Sequence, residues 1–223
     1  MKQPRPFVVT IDGPAASGKG TLARRLADRF GFAHLDTGAL YRATALLVLD
    51  QAGDASDPAT AEAAARQVDM RMLSDPRLRG PAVSAAASIV AAIPAVRSIL
   101  LGLQRQFAAH PPAPARGAIL DGRDIGSFVC PSADAKIFLT ASSGARARRR
   151  LAELRQQGAT AIYENVLQDM KERDARDSER ATAPLIAAPD AIVIETTMLD
   201  ADAVFERACD LIEYTLKEME WQQ

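Results

Sequence analysis

Cysteine and histidine are scarce in this chain: Cys130 and Cys209 are its two cysteines and His34 and His110 its two histidines, among 223 residues. The cysteines stand far apart with no C-x-x-C spacing, which excludes a disulfide framework and a zinc site. Both are expected as small buried apolar groups, and both histidines and Trp221 as structural by default. An excess of charge of either sign is also lacking. The formal net charge of -1 excludes a general polyanion binder, so no nucleic-acid partner is expected. Long apolar runs are missing too. The one near the start ends at acidic Asp12, too short for a signal peptide, and no later run would span a bilayer. Without repeats or low-complexity tracts, the composition predicts a soluble cytoplasmic protein, off the membrane, folded as one large domain with mobile inserts.

What is present is concentrated first at residues 7–21, FVVTIDGPAASGKGT. A short apolar run breaks into a glycine-rich turn with one lysine, predicting a strand, a loop and the first turn of a helix. Gly13, Pro14, Ala15, Ala16, Ser17, Gly18 and Lys19 fit G-x-x-x-x-G-K, whose small residues let successive backbone N–H groups turn inward around an anion at the helix's positive end. The commonest form of this loop has its hydroxyl directly after the lysine. Here Gly20 intervenes and the hydroxyl is that of Thr21.

Helical spacing of Leu22, Leu26, Ala27 and Phe30 ends at Gly31, and an extended piece follows over residues 32–35. Thr37 is expected to cap the next helix, which brings Tyr41 and Arg42 close to the preceding strand's end. Residues 52–81 are rich in Ala, Asp, Gly and Pro and predict a surface excursion with one helix over 59–67 and a short apolar run over 68–73. Two helices over 82–92 and 95–109 come next. Short strands are expected at 118–120, 136–139 and 191–194, with helices over 143–157 and 162–175 and a closing amphipathic helix marked by Val204, Ala208, Leu211, Ile212 and Leu216. Strands alternating with helices predict an α/β fold, doubly wound, with ligands at the carboxyl ends of about five strands.

Arginines cluster beyond residue 123. Arg146 to Arg150 read mostly as a solvated helix face. Arg173, Arg176 and Arg180, spaced by three and four, predict a row on one helical face beside Asp174 and Asp177. Next to a phosphate loop, such a row suits a lid closing over a transferring phosphate. Asp121 follows an apolar strand, where a P-loop protein holds the carboxylate that organises Mg²⁺, usually through water, and Arg123 and Asp124 just beyond are well placed for ligand contact.

Five stretches taken together resemble the bacterial cytidylate kinases, nucleoside monophosphate kinases of the P-loop class: residues 13–21, DTGALYR at 36–42, Ala87-Ser88 with Arg97 nine residues on, DGRD at 121–124, and 171–184. The resemblance runs from Val8 to the last helix. It implies one kinase domain built on a five-stranded parallel sheet with helices on both faces, carrying a monophosphate-binding insert over 37–110, shortened near 69–84 where its small sheet is reduced or lost, and a lid over 155–184. It implies ATP phosphates held by residues 13–21, with Lys19, Arg42, Arg123, Arg173, Arg176 and Arg180 acting on the phosphates being joined. CMP would be contacted by Thr37, Tyr41, Arg42, Ser88, Arg97, Arg123, Asp124, Arg173, Asp177 and Arg180. Mg²⁺ would lie near Thr21 and Asp121.

The implied reaction, transfer of the γ-phosphoryl group from Mg-ATP to CMP or dCMP in pyrimidine metabolism by a monomer, agrees with the side chains on offer. An alcohol acceptor needs a base, whereas a nucleoside monophosphate, with a second pKa of about 6, is already mostly dianionic. Its obstacle is repulsion between anions, which a surplus of arginines meets, with no histidine expected near any motif. A kinase for UMP or AMP, and a nucleotide-driven switch without phosphoryl transfer, are the competing readings.

Overall fold

Short apolar runs, each ending in a polar or small residue, make the strands of a computed structural model that describes residues 5–156, 158–180 and 182–221. Strand β1 (Phe7–Asp12) leads through the glycine loop into α1 (Lys19–Phe30), then β2 (Ala33–Asp36) and α2 (Thr37–Asp50). Helices α3 (Pro58–Ala65), α4 (Pro81–Val90) and α5 (Pro94–Ala109) precede β3 (Gly117–Gly122) and β4 (Ala135–Thr140). The chain finishes with α6 (Ser143–Gln156), α7 (Tyr163–Ser178), β5 (Ile192–Glu195) and α8 (Ala201–Trp221). The expected α/β class is correct, and the five strands lie in the order β2-β3-β1-β4-β5.

The chain divides into two compact units, Met1–His34 with Ala108–Gln223, and Leu35–Phe107. In the first, β1 pairs in parallel with both β3 and β4, which puts Asp12 opposite Gly122 on one side and Phe138 on the other. The carboxyl ends of three strands therefore open at one edge, and the phosphate loop, the DGRD segment and the start of α6 all leave from it. Strand alternation sends Val9, Ile11, Ile119, Ile137 and Leu139 into a core closed by Leu22 and Leu26 of α1 and by Val204, Ala208 and Ile212 of α8.

In the second unit, α2 packs against α4. After Asp36 its described residues form helices, 3-10 turns and connecting turns without a strand, so the small sheet expected to be reduced or lost is absent among them. The 68–73 run forms a 3-10 turn at Met70–Ser74, followed by another at Pro76–Arg79, rather than a strand. Aspartate capping explains this: Asp57, Asp69 and Asp75 each accept a backbone N–H from the turn that follows, and Pro58, Pro76 and Pro81 open their helices, where a missing N–H costs nothing. The cap of α2 is Asp36, which accepts from Ala39 N at 3.2 Å, and not Thr37, which is the first helical residue. The expected end of α6 at Gln157, like Ala181 within the lid motif, lies outside the described residues. No single helix among those described is long and apolar enough to cross a membrane. Cys130 is buried as expected, while Cys209 is half-buried.

Candidate active site

The loop between β1 and α1 is shaped by glycines, one for want of room and both for their backbone conformation. A Cβ on Gly13 would lie 2.2 Å from the carbonyl oxygen of Leu139, and Gly13 and Gly18 hold φ of 148° and 96°, a region that favours glycine. Ala16 also sits at positive φ, 55°, which a nonglycine residue adopts at a cost. Lys19 folds back so that Nζ donates to Pro14 O at 3.1 Å, above the loop. Thr21, one residue past Gly20, is exposed.

Two carboxylates lie at the strand ends beside this loop. Asp121 is buried, and its Oδ1 is 2.7 Å from Nε2 of His34. The expectation that no histidine stands near a motif is therefore wrong. Strands β2 and β3 are neighbours in the sheet although 87 residues separate these two side chains, a proximity that linear spacing conceals. The other oxygen of Asp121 lies toward Gly20, 3.8 Å from where a Cβ on that glycine would be.

Asp12, which sequence reasoning passed over, is buried at the end of β1. Its two oxygens accept from Ile125 N at 2.8 Å and Gly126 N at 2.7 Å, holding the start of the π-helical turn Ile125–Val129 that follows Arg123 and Asp124. Gly126 is required there, since a Cβ would meet Thr10 Oγ1 at 2.7 Å. Burial lifts the Asp12 carboxyl to about 6 against the pull of those two N–H groups, with a smaller push from Asp124 and a smaller pull from Lys19. The folded state therefore holds a proton that the unfolded chain releases. The associated stability is complete below the unfolded value and lost as pH rises through about 6. Asp12→Asn cannot titrate, so between pH 4.5 and 7.5 the wild type should lose about 2 kcal/mol relative to it. Denaturant melts at the two pH values measure this, and parallel profiles would refute the assignment.

Beyond β3, Arg123 Nε donates to Asp177 Oδ2 at 2.9 Å, and Arg180 donates to Asp177 Oδ1. Burial pushes the Asp177 carboxyl up, but Arg123, Arg180 and Arg173 together outweigh it and hold the group below the ordinary carboxylate range. The expected arginine row is not one helical face. Helix α7 ends at Ser178, so Arg180 reaches Asp177 from beyond the helix, while Arg176 is exposed and donates to Glu172 O at 3.4 Å.

In the second unit, Arg42 donates to Asp36 Oδ2 at 2.5 Å. Arg97, buried on α5, has its guanidinium 5.8 Å from the centre of the Tyr41 ring and donates to Ala91 O at 3.4 Å. Thr37 is buried at the start of α2 and Ser88 on α4, where the Ser88 hydroxyl has no hydrogen-bond partner among the described residues.

The cytidylate kinase family model matches residues 9–214. The chain belongs to the cytidylate kinase family. Among its relatives are the cytidylate kinases of Methylocella silvestris, 54% identical over 93% of this chain and 94% of that protein, and of Rhodospirillum rubrum, 53% identical over 92% and 97%. Among solved structures, an uncharacterized protein from Eubacterium ventriosum (TM-score 0.53, 13% identity, 94% of this chain and 98% of that one) shares the fold. So does a gluconokinase from Sinorhizobium meliloti (TM-score 0.50, 13% identity, 99% of each).

Two further residues of this kinase were misjudged from its sequence. Arg146 is not on a solvated face: it is buried on α6, bonded to the phosphate loop and to α7. Arg149 donates to Thr196 O at 2.5 Å, and the Thr196 hydroxyl reaches Ser17 O at 3.4 Å. The alanines at 145 and 147 carried the signal, since small residues flanking an arginine mark a helix packed closely on something.

Proposed function

We propose that this kinase transfers the γ-phosphoryl group of ATP to CMP or dCMP, giving ADP and CDP or dCDP. The observation that carries the reading is the buried cluster of Arg123 and Arg180 around Asp177. It leaves from the same sheet edge as the phosphate loop and concentrates guanidinium charge where two anions must be brought together. Family membership supplies the acceptor. In the reading, the N–H groups of residues 13–21 and Lys19 bind the ATP phosphates, and Arg42, Arg123 and Arg173 neutralise the phosphates being joined. Arg176 and Arg180 complete the lid over residues 155–184. The acceptor phosphate attacks in line, and the protein contributes position and charge rather than a base.

On the acceptor side, Ser88, Arg97 and Asp124 are assigned to the cytosine and Asp177 with Arg173 to the sugar, and Thr37 and Tyr41 of the 37–110 insert are assigned to CMP as well. The buried Ser88 hydroxyl, without a partner among the described residues, supports that assignment, because a buried polar group is normally satisfied. Thr21 and Asp121 offer a hydroxyl and a carboxylate, hard oxygen donors suited to Mg²⁺ held partly through water, and His34 fixes one carboxylate oxygen while the other lies toward Gly20. Bound there, Mg²⁺ would neutralise charge between the β- and γ-phosphates. The reading includes a monomer working in the cytoplasm on diffusing substrates.

A turnover screen of nucleoside monophosphates with ATP and Mg²⁺ tests the proposal. CMP and dCMP should be the preferred acceptors, and preference for AMP or UMP, or ATP hydrolysis without CDP, would overturn it. Within that screen, Arg97→Ala should raise KM for CMP about tenfold to a hundredfold, the worth of a charged hydrogen bond, while KM for ATP stays within about threefold. Equal loss for both nucleotides would remove Arg97 from the base site.

A further inference from the structure

We infer that Arg146 is a positioning residue for phosphoryl transfer, setting the register of the lid helix α7 on the phosphate loop so that the lid arginines, and not water, meet the γ-phosphate. The inference rests on the kinase reading above.

All five N–H groups of this buried guanidinium are used. Nε donates to Ala141 O at 3.0 Å, one terminal nitrogen to Ala15 O at 3.2 Å and Asp174 Oδ1 at 3.3 Å, and the other to Ser143 Oγ at 3.2 Å and Asp174 Oδ2 at 2.7 Å. Three pieces of the molecule meet on one rigid planar group: the end of β4 with the start of α6, the phosphate loop, and α7. A fork of fixed geometry bonded to both oxygens of Asp174 fixes the rotation of α7. Asp174 is flanked by Arg173 and lies one turn before Asp177, so that rotation sets the direction of both.

The same nitrogen acts on the loop. In a trans peptide, C=O and the following N–H point opposite ways, so holding Ala15 O toward Arg146 turns the Ala16 N–H away from it. Ala16 carries a positive φ, a conformation that needs such support. Apolar contact fixes the same junction, since Ala15 and Ala16 pack against the cluster of Ala147 of α6 with Val166 and Met170 of α7. Such contacts are not directional; the guanidinium supplies the register.

A lid out of register leaves room at the γ-phosphate. Water then attacks phosphorus in place of the CMP phosphate oxygen, the γ–β bridging bond breaks to ADP, and the water's proton passes to solvent as inorganic phosphate forms. Arg146→Lys and Asp174→Asn test this. Lysine keeps charge and stem but lacks the fork, and asparagine keeps shape but accepts on one oxygen only. With Mg-ATP and CMP, ADP and CDP are counted separately. Wild type should give the two in nearly equal amounts, and absence of CDP from wild type would sink the kinase reading itself, not this inference. Each variant should lose about tenfold to a hundredfold in kcat, as small misplacements do. KM for CMP should stay within about threefold, and ADP formed without CDP should rise about tenfold. The double variant should be no worse than the poorer single one. Folded variants with wild-type kcat and an ADP to CDP ratio near one would overturn the inference. So would a fall in activity that follows a fall in melting temperature with the ratio unchanged. Should Arg146→Lys not fold, Asp174→Asn, whose side chain is partly exposed, decides the question by the same ratio.

Discussion

Lys19→Ala should lower kcat by about 10²–10³-fold, the loss measured when one preorganised charged or hydrogen-bonding donor is taken from a transition state. Lys19 is the sole lysine of the loop, and its ammonium reaches back to Pro14 O at 3.1 Å, over the backbone that would cradle the phosphates. In the proposed reaction it bridges donor phosphate oxygens whose charge shifts as the γ-phosphoryl group moves. The interaction is therefore worth more in the transition state than in the ground state, and its loss should appear in kcat more than in KM for ATP. The fold should survive, because Lys19 is half-buried at the first position of α1 and is not among the side chains of the core. Steady-state kinetics beside a thermal melt separate these effects. A variant with near-normal kcat, or one whose activity loss is matched by unfolding, would remove Lys19 from the phosphate site.

The loop's chemistry was readable because it is local: glycines, a lysine and a hydroxyl within nine residues specify a backbone shape through their own φ and ψ preferences. Strand and helix types followed from periodicity for the same reason, with errors at the ends. Helix α7 was expected to stop at about 175 and runs to Ser178, further into the charged run 171–180 in which it was expected to end, because Asp177 turns inward and is neutralised there. The apolar run at 68–73 carried no period that named an element, and the capping aspartates Asp69 and Asp75 made 3-10 turns of it and the residues after it. What spacing could not reveal was pairing across the sheet. His34 and Asp121 meet because β2 and β3 are neighbours, and Asp12 finds Ile125 and Gly126 across more than a hundred residues. Arg146 looked solvated among its basic neighbours, since a helical arginine's burial depends on what packs above it, here α7 and the loop.

Asp177→Asn should destabilise the protein and make its stability depend on added anions. Asp177 is buried between Arg123 and Arg180, with Arg173 contributing to its charge balance, and it accepts from two guanidinium groups on separate elements. Asparagine retains the volume but not the charge, leaving buried cations whose desolvation is no longer offset. Breaking such a pair costs about 3–5 kcal/mol when fully buried. The Arg123 side chain is 15% exposed, so the lower end applies. For a chain of this size each kcal/mol is about 2–4 °C, so a fall of roughly 6–12 °C in Tm is expected. Low pH should do the same to the wild type. Because the folded carboxyl lies below the ordinary range, its contribution is present above the unfolded pKa and lost as pH falls through the folded one. The cluster's proposed task gives the distinguishing test. If these arginines serve as a phosphate site, inorganic sulfate should raise the Tm of Asp177→Asn several degrees more than that of the wild type, since a bound anion replaces the missing carboxylate. Equal sulfate responses would mean that Asp177 only braces the fold, and an unchanged Tm would mean that the ion pairs contribute nothing to it.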